Sequence, residues 1–157
     1  MKYLRFLIVL CLFPLLSYGQ IIDVNSSTDA ESSYAPEQLV KDILIASACS
    51  EISNFTSQVN GAPSATATKS YGYFKKPTGS SFPFEQGIIL TTGIAKVAGS
   101  PTTGTLLSNT NNLSGDTDLE SALGVDDTFD ATYFKFHFTP QVNEISFRYI
   151  MASEEYD

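Results

Sequence analysis

Cysteine and histidine, which often carry nucleophilic and metal chemistry, are scarce in this sequence. It has two cysteines and one histidine in 157 residues. The histidine, His137, has no cysteine partner with which to hold zinc, and the nucleophile motif G-x-S-x-G is absent. The segment from Gly99 to Gly104 lacks the following lysine of a phosphate-binding loop. We therefore predict no catalytic residue and no enzyme activity.

Basic residues are also few. Nine Lys and Arg stand against 17 Asp and Glu, which gives a net charge of −8. Such a surface repels nucleic acid and anionic lipid, so neither is expected as a partner. The same surface suits solubility and divalent cations.

Long apolar runs are limited to the first residues. Lys2 and Arg5 precede an apolar run from residue 6 to residue 16, and the small residues Ser17 and Gly19 precede Gln20. This is the pattern of a secretory signal peptide over residues 1–19. A run of about 11 residues is too short for a spanning helix, which needs about 20. We predict cleavage near Gly19, a secreted or cell-surface location and no membrane-spanning segment in the mature chain.

Removal of the signal peptide would change the charge and the cysteine count. Lys2 and Arg5 would be lost and all 17 acids kept, so the net charge would be near −10. Cys11 follows Leu10 inside the apolar run, which argues against a lipoprotein cysteine. Cys49 would be the only mature cysteine. It is a free thiol, a buried small side chain, or half of a disulfide whose partner lies outside this sequence.

After the signal peptide, the chain divides into a polar segment and one domain. Residues 20–35 are rich in serine without a sustained period, which predicts a linker or an extended lead-in. Residues 36–157 follow as one partial domain. It opens with Pro36–Ala48, where apolar residues recur every three or four positions, as in an amphipathic helix packed on a sheet.

Short strands and glycine-rich turns follow the helix. Ala65–Phe74, in which Tyr71 and Tyr73 alternate with Gly72 and Phe74, and Ile88–Leu90 read as strands. Residues 98–112 read as a long loop and residues 116–123 as a short helix. This order predicts a mainly β fold of sandwich or jelly-roll type, with one N-terminal amphipathic helix packed on it. Tyr34, Tyr71 and Tyr73, if exposed, would offer rings for stacking on sugars; tyrosines also pack with one end wet.

The last stretch, residues 130–157, predicts two strands joined by a turn. In the first, three phenylalanines (Phe134, Phe136, Phe138) alternate with Tyr133, Lys135 and His137, so His137 is expected to be exposed or half-buried and structural. In the second, residues 144–152 alternate in the same way, and the segment between the two runs suits a hairpin or a short crossing between sheets. The chain stops directly after this strand. We therefore expect a domain that is incomplete at its C-terminus and does not fold independently.

Acidic residues cluster near residues 116–120, 126–130 and 154–157. Oxygen ligands on loops are what Ca²⁺ prefers, and a hairpin would bring the first and last clusters together. Asp116, Asp118, Glu154 and Glu155 are therefore candidate Ca²⁺ ligands. The D-x-D-x-E start of an EF-hand loop is present, but Ser121 replaces its glycine and Asp127 its last glutamate, so an EF-hand is not expected. Alternatively, these acids are solvated turns and helix caps, with Asp116 a natural N-cap.

Several motifs, in order and spacing, resemble the choice-of-anchor L domain. They cover most of residues 36–157, and the most specific are the G-I-I-L-T-T-G run at residues 87–93 and the A-S-E-E-Y sequence at residues 152–156. The others are S-N-F-T at residues 53–56, G-Y-F at 72–74, G-D-T-D-L at 115–119, F-K-F-H-F at 134–138 and I-S-F-R-Y at 145–149. The resemblance implies a module of large secreted bacterial surface proteins, often substrates of the type IX secretion system of the Bacteroidetes. It implies location and module type more than activity.

Two functions are compatible with this sequence. One is a non-catalytic extracellular module of a secreted or cell-surface protein, acting in adhesion or another surface interaction. The other is a carbohydrate-binding domain or a fragment of a carbohydrate-active enzyme. In either case the expected partner is an extracellular ligand or a surface polymer that the sequence does not name.

Overall fold

A computed structural model describes residues 21–45, 51–99, 109–141 and 143–153. The predicted signal peptide and Cys49 lie outside these ranges. None of the helices in these ranges is long and apolar enough to cross a membrane. The elements are, in chain order, β1 (Asp23–Val24), a 3-10 turn (Ala30–Ser33), α1 (Pro36–Leu39), a π-helical stretch (Val40–Ile45), β2 (Glu51–Gln58), β3 (Tyr71–Lys75), β4 (Gln86–Leu90), α2 (Ala95–Ala98), α3 (Thr117–Leu123) and β5 (Tyr133–Thr139).

The strands form two antiparallel sheets. One has the order β1-β3-β4 and the other pairs β2 with β5. The sheets meet where the ring of Phe134 on β5 packs edge-on against Tyr71 on β3, with 6.0 Å between ring centroids. The mainly β, sandwich-like class predicted from the sequence is confirmed.

The predicted amphipathic helix is confirmed for residues 36–45, and residues 46–48 lie outside the described ranges. Pro36 occupies the first turn, where its missing N–H costs nothing. Leu39 and Val40 are fully buried, and the Lys41 ammonium pairs with Glu37 one turn earlier, at 2.7 Å. After Leu39 the helix widens to π geometry. Of the apolar stripe that the sequence predicts, Leu39 and Ile43 pack on the sheet, whereas Leu44 is 43% exposed.

Strand β3 is buried on both faces and joins two apolar clusters. Phe74 packs on one face with Ile22, Val24 and Ala95, with Phe82, Phe84 and Ile89 at the margin. Tyr71 and Tyr73 pack on the other face with Leu39, with Tyr34, Ile43, Val59, Ile88 and Phe134 at the margin. Tyr71 and Tyr73 are therefore core residues, and the alternative that they stack on sugars is wrong. Burial raises the pKa of both tyrosines, and for Tyr73 the carboxylates of Glu31 and Asp29 add to this.

The segment predicted as a linker or lead-in contributes to this core. Ile22 and Val24 are buried, and β1 pairs Asp23 with Lys75 and Val24 with Phe74. The packed structure therefore starts before residue 36. Asp23 and Val24 form a strand within this serine-rich stretch because β3 offers them a partner.

The side chain of Asn25 continues β1 across β3. The backbone N–H of Asn25 donates to the Tyr73 carbonyl at 2.9 Å. Its side-chain amide donates from Nδ2 to the Tyr71 carbonyl at 3.1 Å and accepts at Oδ1 from the Tyr73 N–H at 3.3 Å. The side-chain amide thus makes the two hydrogen bonds to β3 that one more peptide group of β1 would make. It lies directly over Gly72, where a Cβ atom would come within 2.1 Å of Oδ1.

Strand β2 is not predicted by the sequence analysis, because a bulge interrupts its period. The pairing with β5 shifts between Ser53↔His137 and Thr56↔Lys135. At the shift Asn54 has a φ of 50°, and its side chain bonds His137 Nδ1 at 3.0 Å. The extra residue moves Phe55 onto the side of the sheet where its ring stacks on Phe136. His137 is exposed, as expected.

The strand predicted at residues 144–152 is not formed, so the predicted hairpin is wrong. Residues 143–153 have no regular structure and are exposed, with Tyr149 and Met151 more than four-fifths accessible. In the described part of the chain β5 pairs with β2 alone. Period-two alternation shows which side chains share a face but does not supply a partner strand. Arg148 instead places its guanidinium 4.7 Å from the centroid of the Phe84 ring.

The contact between Asn25 and Gly72 yields a stability prediction. Gly72→Ala should expel the Asn25 amide and lower the free energy of unfolding by about 2 kcal/mol or more, since a buried polar group left unpaired costs about 1–3 kcal/mol. Asn25→Ala should cost a similar amount, because it leaves the same two backbone groups unpaired. Urea unfolding of both variants and the parent measures the effect.

The double variant is the control. Once Asn25→Ala has removed the amide, an added Cβ at residue 72 has nothing to expel, so the double variant should cost clearly less than the sum of the single ones. Additive losses would contradict the proposed contact.

Candidate functional site

Asp116 and Asp118 lie at the N-terminus of α3 and share one lysine. Asp116 is the N-cap, and its Oδ1 accepts from the Leu119 N–H at 2.9 Å. The Lys135 ammonium lies 3.0 Å from Asp116 Oδ2 and 2.7 Å from Asp118 Oδ2. The Leu119 N–H and the ammonium lower the pKa of Asp116, and the two carboxylates raise that of Lys135. The N-cap role predicted for Asp116 is confirmed.

The Ca²⁺ site proposed from the sequence stays a prediction. Glu154 and Glu155 lie outside the described residues, and without the hairpin no observed pairing brings them to Asp116. Within the described ranges there is no group of three or more Asp, Glu, His or Cys residues placed to hold a metal ion. Lys135 already balances part of the negative charge at Asp116 and Asp118, so a cation binding there would have to displace the ammonium.

Asp130 organises the loop at residues 110–113. It has a φ of 54°, and its carboxylate accepts from the Asn111 N–H at 3.1 Å, the Leu113 N–H at 2.9 Å and the Thr110 hydroxyl at 2.8 Å. These donors lower its pKa below the usual range. The sequence places Asp130 in an acidic cluster, whereas the structure shows its carboxylate bound to a backbone loop.

Asn111 ties this loop to the end of β4. Its Nδ2 donates to the carbonyls of Thr92 and Gly93 at 2.9 and 3.0 Å, and its Oδ1 accepts from Asn60 Nδ2 at 3.0 Å. The side chain is almost fully buried, and its bonds hold the T-T-G sequence in place. We call Asn60, Thr92, Gly93, Asn111 and Asp130 the loop network. Sequence reasoning missed Asn111, because its partners are distant in the chain.

Lys69 is a buried cation that sequence reasoning also missed. Its side chain is inaccessible, and Nζ donates to the carbonyls of Ser32 at 2.6 Å and Pro63 at 3.1 Å. The ammonium also lies 4.5 Å from the centroid of the Tyr71 ring. Burial lowers its pKa to about 8. The turn at Gly61, with a φ of 87°, passes so close that a Cβ atom there would lie 2.6 Å from Lys69 Cβ.

A groove with a volume of about 730 Å³ opens beside β1. Ile21, Asp23, Thr28 and Asp29 line one side, and residues 75–81 line the other. The groove combines two acids, two lysines and several hydroxyls. We call it the β1 groove.

Comparison with known protein families gives a match that covers most of the chain. The Choice-of-anchor L domain profile covers residues 24–157. The chain belongs to the Choice-of-anchor L family. No curated protein and no solved structure gave a significant match. The match begins within β1, in agreement with the packing of that strand into the core.

Family membership indicates a surface-associated extracellular module. The G-I-I-L-T-T-G sequence of this Choice-of-anchor L domain has a structural use, because it forms β4 and then the turn that Asn111 holds. This use accounts for the motif without any catalytic role.

The carboxylate of Asp130 yields a pH prediction. Its pKa is depressed in the folded state, so its contribution to stability is present above its unfolded pKa of about 4 and is lost as the pH falls toward the folded value. Asp130→Asn should lower the melting temperature at pH 7, because an amide NH₂ would face backbone donors. It should also flatten the decline of melting temperature below about pH 4.

Asp126→Asn is the matched control for Asp130→Asn, since Asp126 is exposed. It should follow the parent at every pH. If Asp130→Asn and the parent give parallel curves of melting temperature against pH, the loop network does not depend on the Asp130 charge.

Lys135 permits a sharp test of the predicted Ca²⁺ site. Lys135→Met leaves Asp116 and Asp118 without their cation, so added Ca²⁺ should raise the melting temperature more in this variant than in the parent, relative to EDTA. Asp116→Asn and Glu154→Gln, each combined with Lys135→Met, should abolish the added shift. An equal response to Ca²⁺ in all four proteins, or no response, would remove the site.

Proposed function

We propose that this chain is a non-catalytic extracellular module of a secreted or cell-surface bacterial protein, acting in adhesion or another surface interaction. The observation that carries the proposal is the Choice-of-anchor L match over residues 24–157. The signal-peptide pattern at residues 1–19 supports it, because such a segment directs export. The resemblance suggests the type IX secretion system of the Bacteroidetes as the route.

The use made of the polar side chains supports a binding role over a catalytic one. Asp130 and Asn111 hold backbone loops, and Lys69 bonds the carbonyls of Ser32 and Pro63. Glu120 accepts at Oε1 from both the N–H and the hydroxyl of Thr128, at 2.9 and 2.8 Å. Groups fixed in this way stabilise loops and are poorly placed to transfer protons to a substrate. The loops they fix would present a preformed surface to a partner.

The charge of the chain indicates the kind of partner. A net charge of −8 disfavours nucleic acid and other polyanions, so the proposed partner is a neutral or cationic extracellular ligand or a surface polymer. Carbohydrate binding is the second candidate function. The β1 groove favours it, since its polar lining and volume suit a small hydrophilic ligand.

The export step is directly testable. Expression of the full chain in a Gram-negative host should yield extracytoplasmic protein whose N-terminus is Gln20. A charge in the apolar run, as in Leu10→Arg, should leave uncleaved protein in the cytoplasm, because the run would no longer engage the export machinery. N-terminal sequencing and intact mass decide between these forms. Uncleaved, cytoplasmic parent protein would contradict the proposed location.

The binding step needs a separate assay. The exported protein should sediment with fixed bacterial cells or with purified peptidoglycan, cellulose or chitin, and should release no reducing sugar from them. Release of reducing ends would instead support a carbohydrate-active enzyme. Failure to sediment with any of these surfaces would count against the proposed surface interaction.

A further inference from the structure

We propose that the β1 groove binds a saccharide unit, with Asp29 as the principal hydrogen-bond acceptor. The inference rests on the proposed surface-binding function and assigns a site and a ligand class to it.

The groove is a built feature, because hydrogen bonds fix its far wall. Residues 77–80 form a turn closed by the Ser80 N–H donating to the Pro77 carbonyl at 3.1 Å, with Gly79 at a φ of 86° in the position where a type II turn requires glycine. The Ser80 hydroxyl donates to the Ile21 carbonyl at 2.6 Å and so joins the turn to the chain just before β1. The groove lining includes Asp23 and Lys75, which pair across β1 and β3. A preorganised site of this kind binds without the cost of ordering its loops.

Asp29 offers an acceptor that the described residues leave unused. Its side chain is 17% exposed, and its carboxylate accepts no hydrogen bond from any residue in the described ranges. Its ion-pair partner, the Lys75 ammonium, lies 3.9 Å away, beyond hydrogen-bond distance. Both carboxylate oxygens remain accessible to solvent. Hydroxyl donors from a ligand, entering between Asp29 and Lys75, would replace water as their partners.

The lining selects a polyhydroxylated ligand over other classes. Asp23 and Asp29 balance Lys75 and Lys76, so the lining has no net charge that would favour an anion or a bare metal ion. A sugar hydroxyl donates to a carboxylate and accepts from an ammonium, so it matches both charges at once. Ile21, which is 61% exposed, and Pro77 supply apolar surface for the C–H groups of a sugar ring. The volume falls within the range of about 300–1,000 Å³ typical of small-molecule sites, which suits one or two sugar rings.

The test maps binding on the full chain by amide chemical shifts. Maltose, cellobiose, lactose and N,N′-diacetylchitobiose serve as probes at roughly 10 mM, a concentration that reveals weak binding, with inorganic phosphate as the anion control. We expect at least one disaccharide to shift amides at residues 21–29 and 75–81, and phosphate to shift none of them. Asp29→Asn should weaken this binding about tenfold, since a charge-assisted hydrogen bond becomes a neutral one.

Asp126→Asn is the matched control and should bind as the parent does. If Asp29→Asn fails to fold, the shift map of the parent decides alone. Shifts confined to another surface overturn the assignment of the groove, and binding that Asp29→Asn leaves unchanged overturns the role of Asp29.

Failure of the groove is distinguishable from failure of the proposed function. A protein that binds no probe sugar but still sediments with fixed cells overturns the saccharide proposal and leaves the surface interaction standing. Amide shifts at residues 75–81 on addition of phosphate would overturn the assignment of a saccharide as the ligand. Loss of both sugar binding and sedimentation overturns both proposals.

Discussion

The close contact between the Asn25 amide and the backbone of Gly72 is the constraint on which the rest of the structure depends. It allows the two residues of β1 to hold to β3, so that Ile22 and Val24 can cover Phe74. The Lys96 ammonium then donates to the carbonyls of Val24 and Asn25 at 3.2 and 3.1 Å, which joins α2 to the same point. On the opposite face of β3, Tyr71 carries the contact with β5. A short strand is thus stabilised by one side chain that acts as a peptide group.

Much of the local structure could be predicted from the sequence, because its causes are local. Pro36 and the apolar spacing after it predict the helix, and Asp116 predicts the start of α3. The alternating phenylalanines predict β5 and the exposed position of His137. Strand β2 could not be predicted, since the bulge at Asn54 removes the period that signals a strand. The strand at residues 144–152 was predicted wrongly, because alternation specifies a face and not a neighbour.

The candidate site was less predictable, because its contacts join distant parts of the chain. Asn111 bonds Asn60 across 51 residues, and Lys69 bonds the Ser32 carbonyl across 37. The sequence correctly indicates that Asp116 caps a helix. It does not indicate that the Lys135 ammonium forms ion pairs with both Asp116 and Asp118 at the N-terminus of α3. The β1 groove exists only because β1 pairs with β3 and brings Asp29 near Lys75. Neither the composition of the sequence nor its periodicity indicates any of these long-range contacts.

The burial of Lys69 has a consequence for how the domain opens. Its amine is sealed by the Gly61 turn, by two carbonyls and by the Tyr71 ring, so an acylating reagent can reach it only after residues 61–70 move away. Because its folded pKa of about 8 lies below the usual value of 10.5, the unfolded chain holds more protons at Lys69 between these values, and the contribution of Lys69 to stability rises with pH there. The rate at which Lys69 is acylated therefore reports the population of locally opened molecules. The domain thus carries its own reporter of local opening, whether free or attached to a surface.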